Sequence, residues 1–364
     1  MSELVNASAC GKSYRGKLLT TVCGLTLVTA FGASADGVDH PTVWIELGSQ
    51  LEQVNGRAET FVPAFLEKFD HLGFDPISPV QRPSRYAIGG EGKVSFEPKG
   101  SEWVLSAAVR YGRSNGQKAL YQKLPQATPG FHFPPYHLNA TASDREGHLI
   151  LDFQAGKDVG LGGLSSKISS TLSMGVRFAQ FTARQKAAMD GMPSHFQSGT
   201  NLKYGVKTTH HRFYGSLDVE RSFRGVGPSI TWDSTVPLLR ADDDGINLDW
   251  GINGAVLFGR QKVSGEAALS GLYYKTFIKI PAQLTSGIAS SYHHRVNLGR
   301  SRSVIVPNVG GFAGISFRYA AAKISLGYRA DLFFGAMDGG LDSRKTYDRN
   351  FYGPYASISI GLGG

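Results

Sequence analysis

The stretch Trp103-Val104-Leu105-Ser106-Ala107-Ala108-Val109-Arg110-Tyr111 alternates with a period of two. Trp103, Leu105, Ala107, Val109 and Tyr111 share one face, and Ser106, Ala108 and Arg110 share the other. Successive side chains of a strand point to opposite sides of its sheet, so this is a strand with one apolar and one polar face. The pattern returns in 168–178, where Leu172, Met174, Val176 and Phe178 stand opposite Ser169, Thr171, Ser173, Gly175 and Arg177. It returns again in 213–223, 248–258, 309–317 and 324–334.

Counted this way, the sequence predicts twelve strands at 42–54, 85–97, 103–114, 147–158, 167–183, 208–222, 228–238, 247–259, 264–280, 303–318, 323–336 and 350–362. The gaps after every second strand are short: 98–102, 159–166, 223–227, 260–263 and 319–322. The intervening gaps at 55–84, 115–146, 184–207 and 281–302 are long, 337–349 is intermediate and 239–246 is the shortest of that set. An even strand number with short turns at one end and long loops at the other is the topology of outer-membrane barrels, with periplasmic turns and external loops. A soluble β-sandwich has no reason to keep every second connection short.

The first residues point the same way. Lys12, Arg15 and Lys17 precede an apolar run over 18–31 that ends at Ala33-Ser34-Ala35, the layout of a secretory signal peptide. Cleavage after residue 35 would leave 36–364 as a single barrel domain. Cys10 and Cys23 both fall inside the leader, so the mature chain is expected to have no thiol, disulfide or Cys-based metal site. Beyond Asp36 no stretch approaches the ~18 consecutive apolar residues of a membrane helix, so a membrane could be crossed only by a closed barrel. The 46 Gly, 21 Phe and 15 Tyr recur along the whole chain instead of clustering in one core, which favours that class. The fold expected is therefore all-β, a closed antiparallel transmembrane β-barrel of about 12 strands in a Gram-negative outer membrane. Aromatic pairs eight to ten residues apart, Trp103 with Tyr111, Trp250 with Phe258 and Phe213 with Phe223, would mark its two interfacial girdles.

The segment Phe223-Arg224-Gly225-Val226-Gly227-Pro228, followed by Ser229-Ile230-Thr231-Trp232, resembles the Gly-Val-Gly-Pro turn of Legionella-type pore-forming outer membrane proteins. The resemblance extends to the run 247–259 and implies a porin-like barrel without a cofactor.

Ionised groups on lipid-facing positions cost ~2–4 kcal/mol each at mid-membrane, so charges within the strands are expected to face the lumen. The residues so assigned are Glu46, Glu91, Lys93, Arg110, Asp152, Arg177, Arg212, Asp218, Glu220, Asp233, Asp249, Glu266, Arg329 and Asp331. They would either line a narrow pore or knit into ladders that occlude it. Nine are acidic and five basic, which predicts a weak cation preference in any open pore. The function expected is a porin-like channel for small solutes or a structural outer-membrane protein, not an enzyme and with no cofactor or metal.

Two alternatives stay open. An outer-membrane hydrolase could use His210 or His211 with an acidic neighbour at the external rim, where His293-His294 and an acidic loop at Asp242-Asp243-Asp244 also fall. A surface adhesion protein could use the loop 115–146, with Tyr121, Phe131, Phe133 and Tyr136 beside Lys118, Lys123 and Arg145. The net charge is +9, and removing Lys12, Arg15, Lys17 and Glu3 with the leader leaves +7. For an exported chain that surplus suits lipopolysaccharide, not nucleic acid. Expected partners are thus outer-membrane lipid and lipopolysaccharide, the barrel-assembly machinery and small solutes.

Overall fold

The computed structural model describes residues 43–55, 86–98, 103–123, 137–159, 169–201, 205–241, 244–279, 283–340 and 345–362. Within them are ten strands: β1 (Val43–Asn55), β2 (Tyr86–Phe96), β3 (Trp103–Lys123), β4 (His137–Asp158), β5 (Ser169–Asn201), β6 (Gly205–Ala241), β7 (Asp244–Lys279), β8 (Gln283–Tyr319), β9 (Ala322–Asp338) and β10 (Thr346–Leu362). Each pairs antiparallel with its sequence neighbours, and β1 pairs with β10 from Val43↔Leu362 to Asn55↔Asn350, closing the barrel. The leader expected at 1–35 and, apart from Asn55, the loop expected at 55–84 lie outside the described residues.

Ten strands replace the expected twelve because two turns read from the sequence are strand interiors. Residues 223–227 lie in the middle of β6 and 260–263 in the middle of β7, where Phe223 pairs with Gln261 and Ser222 with Lys262. The Gly-Val-Gly-Pro segment that carried the family resemblance is therefore not a turn. Neither Gly225 nor Gly227 adopts a positive φ. Gly227 instead permits close packing, since a Cβ there would stand 1.9 Å from the Val256 carbonyl oxygen on β7. Register to β7 runs through Val226↔Phe258 and resumes at Ser229↔Ala255 across Pro228, which has no N–H to donate.

Of the expected loops at 115–146, 184–207 and 281–302, residues 115–123, 137–146, 184–201, 205–207 and 283–302 are strand, and the rest, with Phe131, Phe133 and Tyr136, lies outside the described residues. At the short-turn end, strands are joined through 97–102, 159–168, 242–243 and 320–321, whereas at the other end β5 to β8 run on as 33 to 37 residue strands. Of the acidic stretch expected at an external loop, Asp244 opens β7 opposite Ala241 at the short-turn end, and Asp242 and Asp243 lie outside the described residues. Pairing of β8 with β9 stops at Asn308↔Phe333 and that of β2 with β3 at Ile88↔Arg113. Beyond those points β3 to β8 continue as a six-stranded sheet that projects from the barrel, and among the described residues its edge strands β3 and β8 have no further partner there.

Around the barrel proper, the outward positions form a continuous apolar band. Leu47, Val94, Leu105, Phe153, Met174, Ile230, Val256, Ile315, Leu326 and Ile358, one from each strand, all expose more than 40% of their surface. On the projecting sheet the outward face becomes ionic. Arg184 bonds Asp218 through both nitrogens at 2.9 and 2.8 Å, Lys186 joins Asp218 at 3.2 Å, Arg212 lies 3.5 Å from Asp190, and Arg295 lies 2.5 Å from Glu266. The hydrogen bond from Arg184 holds the Asp218 carboxyl below the usual carboxylate range.

Candidate functional site

The interior of the barrel holds the densest concentration of chemistry-bearing side chains. Ten strands about 4.7–4.9 Å apart and tilted ~45° close at a backbone radius of roughly 10–11 Å, so long side chains from opposite walls can meet.

Nearest the short turns, Lys323 reaches Asp249 at 2.6 Å, Thr235 donates to the same carboxylate at 2.8 Å, and the Arg318 guanidinium lies over the Trp44 ring. The next level pairs Arg329 with Glu91, and the same guanidinium faces the rings of Phe312 and Tyr355. Above it Arg177 is held bidentate by Asp152 at 2.6 and 3.1 Å and also donates to Asn253 and Asn308. Arg110 bridges Asp331 on β9 and Asp152 on β4. Arg177 is only 2% exposed and Asp331 equally so. At that burial an unpaired ion is costly, and here each has a partner of opposite charge.

Rimward of this ionic layer the interior turns aromatic. Phe181, Phe223, Phe333 and Phe351 pack with Ile150, Leu257 and Val306 into one buried cluster. Phe181 meets Phe351 at 5.5 Å between ring centroids and Phe333 at 4.8 Å. Phe181 stands on β5 and Phe351 on β10, five strands away whichever way round the barrel is counted. The contact therefore crosses the full bore. A second polar layer caps the cluster. His148 lies tilted against the Phe351 ring and 3.4 Å from Glu52, Arg349 reaches Glu146 at 2.7 Å, and Arg300 and Arg302 converge on Asp338.

Of the fourteen residues assigned to the lumen, Glu46, Glu91, Lys93, Arg110, Asp152, Arg177, Asp233, Asp249, Arg329 and Asp331 sit on inward positions of their strands. Arg212, Asp218, Glu220 and Glu266 do not. All four lie on the outer face of the projecting sheet, beyond the apolar band, among the outward ionic groups. Reading membrane logic into strand beyond the apolar band inverted them. Phe223 is a correction in the other direction, since it faces inward and is fully buried instead of marking a girdle.

Parity could have found the aromatic cluster. Phe181 lies four residues after Arg177, Phe223 two after Arg221 and Phe333 two after Asp331, all on the same inward side. Parity also adds interior charges that the sequence reading left out. Glu52, Glu146, Asp338, Arg221, Arg300, Arg302, Arg318, Lys323 and Arg349 all occupy inward positions. With them the described interior carries basic and acidic groups in nearly equal number, which removes the basis for a cation preference.

The histidine pairs lie on the projecting sheet. His210 stands opposite His195 and Tyr274, and His211 opposite Ser194 and Tyr273, so no carboxylate is a direct cross-strand partner of either. His293 and His294 pair with Ser270 and Leu269. Among the described residues no group of three His, Cys, Asp or Glu side chains is placed to hold a metal ion.

No protein-family model matches the chain, and no curated protein does. Similar solved structures include the transport unit of the autotransporter AIDA-I from Escherichia coli, at 8% identity and TM-score 0.26, covering 92% of this chain and 94% of that one. The toluene transporter TodX of P. putida matches at 8% identity and TM-score 0.25, covering 89% and 91%. Wzi, an outer membrane protein involved in Group 1 capsule assembly in Escherichia coli, matches at 8% identity and TM-score 0.15, covering 89% and 85%. The assignment of a closed barrel rests on the strand registers themselves.

Proposed function

We propose that the chain is an outer-membrane barrel with a closed lumen, which anchors the projecting β3–β8 sheet at the cell surface for recognition. The contact of Phe181 with Phe351 across the bore carries the reading, because solute diffusion needs an open path and this layer fills one. The apolar band supports membrane insertion. A band ~25 Å tall needs about 8–11 tilted residues per strand, and the outward apolar run from Trp103 to Tyr111 has that scale. The sheet beyond the band exposes ionic and hydroxyl groups on long strands, a surface suited to contact with a partner and not to burial in lipid.

Refolded barrel inserted into a planar bilayer tests this. Correctly folded protein, identified by heat-modifiable gel migration, is expected to be electrically silent, and the double variant F181A/F351A is expected to open a measurable leak. Steady single-channel conductance from the unaltered chain would overturn the closed-lumen reading in favour of the porin-like one.

A further inference from the structure

We propose that the outer faces of β5 to β8 bind the phosphate groups of a phosphorylated membrane glycolipid of the lipopolysaccharide kind, through Arg224, Arg260 and Lys262. The inference rests on the membrane reading above and adds to it a site.

The ladders align outward side chains of four strands into rows. The last apolar row is Phe178, Val226, Phe258 and Ile305, cross-strand partners in sequence around the wall. Val226, Phe258 and Ile305 are about half exposed or more, at 49%, 55% and 62%. The next row toward the rim is Gln180, Arg224, Arg260 and Ser303, and the one beyond it Thr182, Ser222, Lys262 and Ser301. Apolar surface thus gives way within one residue pair to a patch of cations among hydroxyl and amide groups.

That patch is electrostatically unbalanced. Arg224 and Arg260 are direct cross-strand partners, an arrangement that like charges destabilise. Among the described residues none of Arg224, Arg260 and Lys262 has a carboxylate partner, whereas further out Arg184, Lys186, Arg212 and Arg295 all do. The carboxylate next along β6 is Glu220, four residues from Arg224 or about 13 Å of strand, and its β7 partner is Ser264. An anion bound from outside would relieve the repulsion.

The chemistry of that anion follows from its surroundings. Two guanidiniums side by side match phosphate oxygens by paired hydrogen bonds, and an ammonium adds a third charge. Because the cations adjoin the apolar row, an amphiphile can place its acyl chains on Val226, Phe258 and Ile305 while its phosphates meet Arg224, Arg260 and Lys262. Free phosphate would gain nothing from the apolar row and would meet only an exposed, hydrated surface.

The test refolds the barrel into vesicles doped with bisphosphorylated lipid A or with its dephosphorylated form and measures lipid retained on the purified protein by mass spectrometry. The unaltered chain is expected to retain the phosphorylated form about tenfold over the other, and R224Q/R260Q/K262Q to lose that preference. R224K/R260K, which keeps the charge, and R295Q, which lies on the ionic outer face beyond the patch, are expected to retain it. Inorganic phosphate at equal concentration is expected not to compete. Insertion with equal retention of both lipids, an unaffected triple variant, or full competition by inorganic phosphate would overturn the proposed site while leaving the barrel reading intact. Failure of the unaltered chain to insert would overturn both.

Discussion

Strand β5 carries two bidentate arginine–aspartate pairs seven residues apart. Arg177 binds Asp152 at 2.6 and 3.1 Å inside the barrel, and Arg184 binds Asp218 at 2.9 and 2.8 Å on the outer face of the projecting sheet. The hydrogen-bond geometry is nearly the same, but the surroundings are opposite. The Arg177 side chain is 3% exposed and the Arg184 side chain 46%. Residue type and spacing therefore do not set the worth of an ion pair here; the side of the wall and the height along the strand do.

The largest expected effect separates the two pairs. Replacing Arg177 with alanine leaves buried Asp152 only the longer 3.6 Å contact with Arg110 and takes the donor from Asn253 and Asn308, and about 3–5 kcal/mol should be lost in urea unfolding from vesicles. Replacing Arg184 with alanine should cost no more than ~1 kcal/mol, because water solvates the released Asp218. Equal losses at the two positions would dissolve the contrast.

A second comparison uses new charges on the outer face. Val256→Arg, in the apolar band, is expected to destabilise by about 2–4 kcal/mol, whereas Ser216→Arg on the same face of the projecting sheet should stay within ~0.5 kcal/mol. Matched small effects would mean that the band does not meet hydrocarbon.

The smallest expected effect concerns pH. The Asp218 carboxyl is held below the ordinary range by its bond to Arg184, so the pair's contribution is fully present above the unfolded carboxylate pKa. It is lost as pH falls through the lower folded value. Asp218→Asn should therefore lower stability slightly near neutrality and flatten a shallow acid-side slope, and a steeper slope in the variant would contradict the assignment.

Much of the barrel was legible from period-two alternation alone. Leu172, Met174, Val176 and Phe178 against Ser173, Gly175 and Arg177 place both faces of β5 correctly, because successive strand side chains alternate between the outer face and the interior. The strand count was not legible, for a physical reason. Where β6 and β7 leave the apolar band, their outward side chains change from Val226 and Phe258 to Arg224 and Arg260, and with Gly225, Gly227 and Pro228 nearby that change imitates a turn. The alternation itself never breaks there. The same boundary explains Arg212, Asp218, Glu220 and Glu266, which were placed in the lumen by an energy argument that holds only within the apolar band. The aromatic cluster was hidden for a different reason. Phe181 and Phe333 share parity with the interior charges, but an aromatic on a barrel strand reads first as a lipid-facing ring.

The central claim is that one continuous face of β6 passes from lipid to water between Val226 and Arg224. Both cysteines lie in the first 23 residues, so residues 36–364 hold no thiol and accept single cysteines for spin labelling. Labels at the outward positions 216, 218, 222, 226 and 230 of the vesicle-inserted barrel would report accessibility to oxygen and to a water-soluble nickel reagent. Oxygen should dominate at 226 and 230 and nickel at 216, 218 and 222, with the crossover between 222 and 226. Uniform nickel accessibility along all five positions would contradict the account.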